Sequence, residues 1–205
     1  MGSVSKPKAL REDYSPAPFI FQEQASSGES RLVAWTSDMD QLRRLFQHLL
    51  LLLPDTVEVL LKVEPRLASL RDDDDGALAN SVDDWDRFFG ACPRSVLLRG
   101  LATSAPFILQ DSRCQLLVRS PASHEYIVLD EVGVVYIYSI GPTFQETCAR
   151  EGFHSRKEEL IRVGPHWRHC VKDGPLLSRR FIKELALQKV RAGGEIVPID
   201  GAHLQ

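Results

Sequence analysis

Three short β-prone runs lie so close together in this chain that they admit one arrangement. Cys114 to Arg119, Glu125 to Asp130 and Val134 to Ser139 are separated by links far too short for a crossover helix. They must therefore pair as an antiparallel meander. The second link, Asp130-Glu131-Val132-Gly133, ends in the residue that most readily adopts the backbone of a tight hairpin turn. Any fold proposed for the chain has to contain this meander over about 114–139.

The flanking segments add helices and further strands. Arg31 to Thr36 reads as a strand, with Leu32, Val33, Ala34 and Trp35 in succession. Ser37 and Asp38 then offer capping oxygens, and Asp40 places negative charge in a first helical turn. Leu42, Leu45, Phe46, Leu49 and Leu50 follow at helical spacing, and Pro54 ends the helix. Thr56 to Glu64 alternates: Val57, Val59, Leu61 and Val63 face one side, Glu58, Lys62 and Glu64 the other. That is the pattern of a half-buried strand.

Beyond Pro65 the chain becomes acidic. Ser81 or Asp83 can cap a short helix that buries Trp85, Phe88 and Phe89, with Gly90 and Pro93 breaking it. Val96 to Leu101 fits a helix or a strand equally. Pro142, Thr143 and Glu146 suggest a capping box, followed by a helix with Phe144 and Cys148 on one face and Gly152 at its end. Ser155 and Glu158 suggest another helix start, although Leu160 to Val163 is equally strand-like. Pro175 opens a last helix, with Leu177, Phe181, Leu185 and Val190 on its apolar side and Gly193-Gly194 beyond it. This order predicts an α+β fold: a single domain in which an antiparallel β-meander packs with several helices.

The expected organisation has three parts. Residues 1–30 read as a flexible N-terminal arm, polar and interrupted by Pro7, Pro16 and Pro18. Its patch Phe19-Ile20-Phe21 either docks on the body or pairs as an edge strand. Residues 31–191 form the α+β domain, and 192–205 a C-terminal tail. No stretch reaches the roughly 18 apolar residues of a membrane span. The first residues lack the apolar core of a secretory signal, and Lys6 occupies the place where myristoylation wants Ser or Thr. Four cysteines, Cys92, Cys114, Cys148 and Cys170, form no CxxC pair and are read as reduced thiols. The expected location is the cytoplasm, with no membrane partner.

Charge is more informative than any motif. The formal net charge of −3 conceals two opposed blocks. From Asp55 to Gly90 ten acidic residues face four basic ones; from Arg150 to Arg191 eleven basic residues face five acidic ones. A field of that kind steers charged partners. The acidic block, with Asp72, Asp73, Asp74, Asp75, Asp83, Asp84 and Asp86 beside Trp85, suits a surface that receives a basic protein. The structural alternative is that the aromatic residues are core and the aspartates solvate a loop. Four adjacent aspartates followed by Gly76 do not make a calcium loop, which needs ligands at alternate positions and a Glu at the twelfth.

Two further readings compete. Cys148, His154, His166 and His169 are ligand types that zinc accepts, and His166 and His169 are spaced to share one side of a helix. Their spacing meets no standard zinc signature. A thiol nucleophile in the same cluster would need a cationic neighbour to hold its thiolate. The basic C-terminal third could instead contact phosphates, although no helix-turn-helix or RNA-binding aromatic pattern accompanies it. GxxxxGK[ST], GxGxxG and GxSxG are all missing. The leading expectation is a non-catalytic interaction or inhibitor/immunity-type module that binds another protein and needs no cofactor. A metal or thiol enzyme and a nucleic-acid-binding regulator are the alternatives.

Overall fold

A computed structural model describes residues 18–24, 30–65, 85–139, 141–156 and 170–190. In chain order the elements are strand β1 (Phe19–Gln24), β2 (Ser30–Trp35), helix α1 (Met39–Leu52), β3 (Thr56–Val63), β4 (Asp86–Pro93), α2 (Arg94–Gln110), β5 (Cys114–Arg119), β6 (Tyr126–Leu129), β7 (Val135–Tyr138), α3 (Pro142–Arg150), β8 (His154–Ser155), α4 (Gly174–Glu184) and β9 (Gln188–Val190). The strands form one nine-stranded sheet in the order β8-β1-β2-β7-β6-β5-β3-β4-β9. Every neighbouring pair is antiparallel except β1–β8. The fold is a single α+β domain. No helix among the described residues is long and apolar enough to cross a membrane.

Alternation along the strands decides which side of the sheet the helices cover. Val57, Val59, Leu61 and Val63 of β3 point to the same side as Leu116 and Val118 of β5, Ile127 and Leu129 of β6, and Val135 and Ile137 of β7. All of these are buried, and they share one core with Leu42, Leu45, Phe46 and Leu49 of α1, Phe107 of α2, Phe144 of α3 and Phe181 of α4. Period-two burial on the strands and 3.6-residue burial on α1 thus meet in one layer. On the other side a smaller cluster, Phe19, Phe21, Val33, Trp35 and Val134, occupies the β1–β2 end.

Local chemistry sets several helix boundaries. Asp38 caps α1 as expected, its carboxylate accepting from the amides of Asp40 (2.9 Å) and Gln41 (3.2 Å). At the other end, the Arg94 guanidinium donates to the carbonyls of Leu51 and Leu53 and to the Asp55 carboxylate. One side chain at the start of α2 therefore satisfies carbonyls that α1 leaves open at its C-terminus. The segment Val96 to Leu101 lies inside α2, which bends at Ser104 (φ −120°, ψ 16°), two residues before Pro106. Gly100 lets α4 approach: a Cβ there would lie 2.6 Å from Cδ1 of Leu185.

Other expectations are corrected by tertiary contacts. The residues around Trp85, Phe88 and Phe89 do not form a short helix. Asp86–Pro93 is strand β4, paired along its whole length with β3 from Val63↔Asp86 to Thr56↔Pro93. Phe88 and Phe89 point to opposite sides of the sheet yet are both buried. The proposed caps Ser81 and Asp83 lie outside the described residues. The Pro142, Thr143, Glu146 capping box does not form: Gly141 is the N-cap residue, it makes no side-chain cap, and Pro142 occupies the first turn.

The last helix is shorter than expected. It ends at Glu184, and Val190 belongs to edge strand β9, paired with Arg87. The stop is a Schellman-type turn in which the amide of Leu187 reaches the Ile182 carbonyl (3.0 Å) and that of Ala186 the Lys183 carbonyl (3.2 Å). Ala186 takes the left-handed conformation (φ 52°) that glycine usually fills. Gly193, Gly194 and the strand-or-helix stretch Leu160 to Val163 lie outside the described residues. Within the N-terminal arm, Phe19–Gln24 takes the strand course, pairing with β2 on one side and with β8 on the other at Phe19 and Ile20.

Candidate functional site

The acidic block is organised around a hairpin. Strands β3 and β4 end opposite each other at Val63↔Asp86, and the connection between them runs for 22 residues. That connection carries Glu64, Asp72, Asp73, Asp74, Asp75, Asp83 and Asp84 against Arg66 and Arg71. Its base is held from three directions. The Glu64 amide donates to the Arg113 carbonyl (2.9 Å), Trp85 is 4 % exposed, and the Asp86 carboxylate accepts from Lys189 Nζ of β9 (2.8 Å). Asp72 to Asp75, Asp83 and Asp84 lie outside the described residues. Of the expected binding residues, the structure thus places Trp85 in the interior and Asp86 in an ion pair at the foot of the connection.

The cysteine–histidine cluster is only half described. Cys148 is fully buried on α3, while His154 is exposed on β8; His166 and His169 lie outside the described residues. Among the described residues no three His, Cys, Asp or Glu side chains come together in a way that could hold a metal ion. Burial pushes the Cys148 thiol up to about 12, and Glu151 adds to the effect. Burial likewise raises Cys92 and, well beyond its ordinary value, Cys114, whose sulfur faces the carbonyls of Phe107 and Asp111. These three thiols stay protonated at neutral pH and are poor nucleophiles. Cys170, by contrast, is exposed. Treating the native protein with a thiol-reactive dye should therefore label one cysteine rapidly and all four once it is denatured. Rapid native labelling of two or more would contradict this placement.

A third constellation joins residues far apart in the chain, on the side of the sheet opposite the main helical core. Arg31 of β2 donates to Glu23 of β1 (Nε, 2.7 Å) and to the Tyr138 hydroxyl of β7 (Nη1, 2.5 Å). Its guanidinium carbon lies 4.2 Å from the Tyr136 ring centre and 5.6 Å from that of Tyr138. Tyr138 in turn stacks on Tyr126 of β6, with centroids 4.1 Å apart and planes 12° from parallel. Further along the same side, Arg119 of β5 pairs with the buried Glu58 of β3. Burial tends to lower the Arg31 pKa, but the hydrogen bonds to Tyr138 and Glu23 outweigh it and the pKa is raised. In the β6–β7 turn the Asp130 carboxylate accepts from the amides of Val132 (3.0 Å) and Val134 (2.8 Å).

This third group was not among the residues singled out from the sequence. Its one trace there is the alternation Tyr136-Ile137-Tyr138 with Tyr126 in the preceding run, which places three tyrosines on one sheet side only once β6 and β7 are paired. Compared with protein-family models, curated proteins and solved structures, the chain matches none significantly.

Proposed function

We propose that the chain is a non-catalytic interaction module, of inhibitor or immunity type, that binds a basic protein through the connection spanning Asp72 to Asp86. The observation that carries this reading is the 22-residue acidic connection between β3 and β4, with Trp85 buried at its end and Lys189 holding Asp86. A segment with excess negative charge raises the rate of encounter with a cationic surface. The protonated state of the buried thiols favours binding over thiol chemistry at Cys148.

Charge reversal tests the reading. In a quantitative pull-down, Asp83→Lys and Asp84→Lys together should weaken capture of basic partners at least about tenfold, through lost attraction and added repulsion. The wild-type interaction should also weaken as salt rises, because exposed charges are screened within about 8 Å at physiological ionic strength. Retention of every partner by the reversed protein would overturn the proposal.

A further inference from the structure

We propose that the outer face of α4 is a self-association surface, which takes the acidic stretch Asp72 to Asp86 of a second copy of this chain. The inference rests on the binding role given to that stretch and names the basic surface it meets.

Helix α4 runs from Gly174 to Glu184 and buries Ser178 and Phe181, with buried Leu185 just beyond its end. Leu176, Arg179, Arg180 and Lys183 follow one another at i, i+3, i+4 and i+7, which puts all four on the opposite side. Leu176 is 62 % exposed, more than any other large apolar side chain among the described residues. Arg180 and Lys183 are exposed as well, and Arg179 is half-buried. Lys172, two residues before the helix, is also exposed. The outer stripe of α4 is thus one apolar side chain set among cations.

Only part of that charge is neutralised nearby. Arg180 Nε donates to the Glu184 carboxylate (3.0 Å), which also accepts from Thr103 Oγ1 of α2 (3.0 Å). Asp173 adds one exposed acid at the N-terminal end. Among the described residues, no carboxylate forms an ion pair with Lys172, Arg179 or Lys183. An apolar centre with a charged rim is the anatomy of a protein interface. Phosphate groups would engage the cations and leave Leu176 in water.

The chain itself supplies the complementary charge. From Asp55 to Gly90 ten acidic residues face four basic ones, and from Arg150 to Arg191 eleven basic residues face five acidic ones. The two excesses are equal in size and opposite in sign. Attraction between them steers two copies together and weakens as salt screens it. The contact joins two different surfaces, and a pair related by a two-fold axis makes it twice.

Sedimentation velocity of the full-length chain at low and high ionic strength tests the inference. At low salt the wild type should sediment as a dimer or larger species, and at high salt as a monomer. Arg179→Glu with Lys183→Glu should remain monomeric at low salt, and so should Asp83→Lys with Asp84→Lys, each pair weakening association at least about tenfold. Mixed in equal amounts, the two variants should associate again, because each keeps the surface that the other has lost. Should the reversal on α4 disturb folding, Arg179→Gln with Lys183→Gln should shift the protein toward monomer without adding charge. A wild type that is monomeric at low salt, a reversed variant that still associates, or a mixture that stays monomeric would each overturn the inference. A monomeric wild type is also the result if the acidic stretch folds onto α4 of its own copy. The α4 variant keeps its acidic stretch and should capture basic partners in the pull-down as the wild type does. Absent self-association with capture intact therefore removes this inference alone. Capture left unchanged by Asp83→Lys with Asp84→Lys removes the reading beneath it.

Discussion

Replacing Asp111 with alanine is expected to destabilise the protein by about 3–5 kcal/mol, the usual cost of breaking a buried ion pair from one side. The Asp111 side chain has no exposed surface, and its partner Arg113 is only 18 % exposed. Oδ1 accepts from the Arg113 amide (3.1 Å) and from Nε (2.8 Å). Oδ2 accepts from Nη2 (2.7 Å) and from the Val171 amide (3.1 Å). One carboxylate thereby joins the end of α2, the entry to β5 and the chain leading into α4. Burial tends to lower the Arg113 pKa, yet the bond to Asp111 and its charge leave it raised. In Asp111→Ala that cation would stay largely enclosed without its counter-charge, and the Val171 amide would lose its acceptor. Asp111→Asn keeps one acceptor oxygen but turns an amide group toward the guanidinium donors, so its loss should be smaller, yet still above 1 kcal/mol. Urea unfolding followed by fluorescence would measure both variants. A shift below about 1 kcal/mol for alanine would show that Asp111 and Arg113 are not the tie described.

Much of the sheet was legible because one face of it is buried. Alternation in β3 and the short links of the meander follow from period-two burial and from what a short connection can span. They required no knowledge of neighbours. The same holds for α1, whose apolar stripe and Asp38 cap are local signals. Elements whose character comes from outside themselves were not legible. Trp85, Phe88 and Phe89 have helical spacing, but β3 offers β4 a full-length pairing partner, and both sides of β4 are covered. Local propensity is a weak prior against such a contact. The end of α4 was missed for a different reason: Ala186 occupies the left-handed position where glycine would have marked the stop.

The sites divide the same way. A run of aspartates is visible in any sequence, and so is the length of the connection that carries it. The Arg31 cluster is not visible, because Arg31 and Tyr138 are 107 positions apart and meet only because β2 lies beside β7. That neighbourhood is a fact of strand order, and the meander alone does not specify which edge receives β2. Asp130 was readable as a turn residue, but not as an acid whose pKa is raised, because that shift comes from desolvation by the folded surroundings and not from the turn's own sequence.

Desolvation of the half-buried Asp130 makes the stability of the fold depend on pH. In the unfolded chain the carboxyl loses its proton near 3.8; in the folded protein it keeps it to about 7. Between those values the native state binds the extra proton, so stability falls as pH rises. The native protein is favoured fully below about pH 4 with respect to this group, and the whole penalty is present above about pH 7. One pH unit of such a difference corresponds to about 1.4 kcal/mol, which gives about 4 kcal/mol across the interval. Asp130→Asn removes the ionisation while keeping an oxygen for the Val132 and Val134 amides. The variant should therefore match the wild type near pH 4.5 and exceed it by about 2–4 kcal/mol at pH 8. Denaturant unfolding at those two pH values reads the difference directly. A variant less stable than the wild type at pH 8 would mean that the ionised carboxylate gains more from the Val132 and Val134 amides than desolvation takes away. Asp130 would then be a conventional turn anchor, ionised throughout the neutral range.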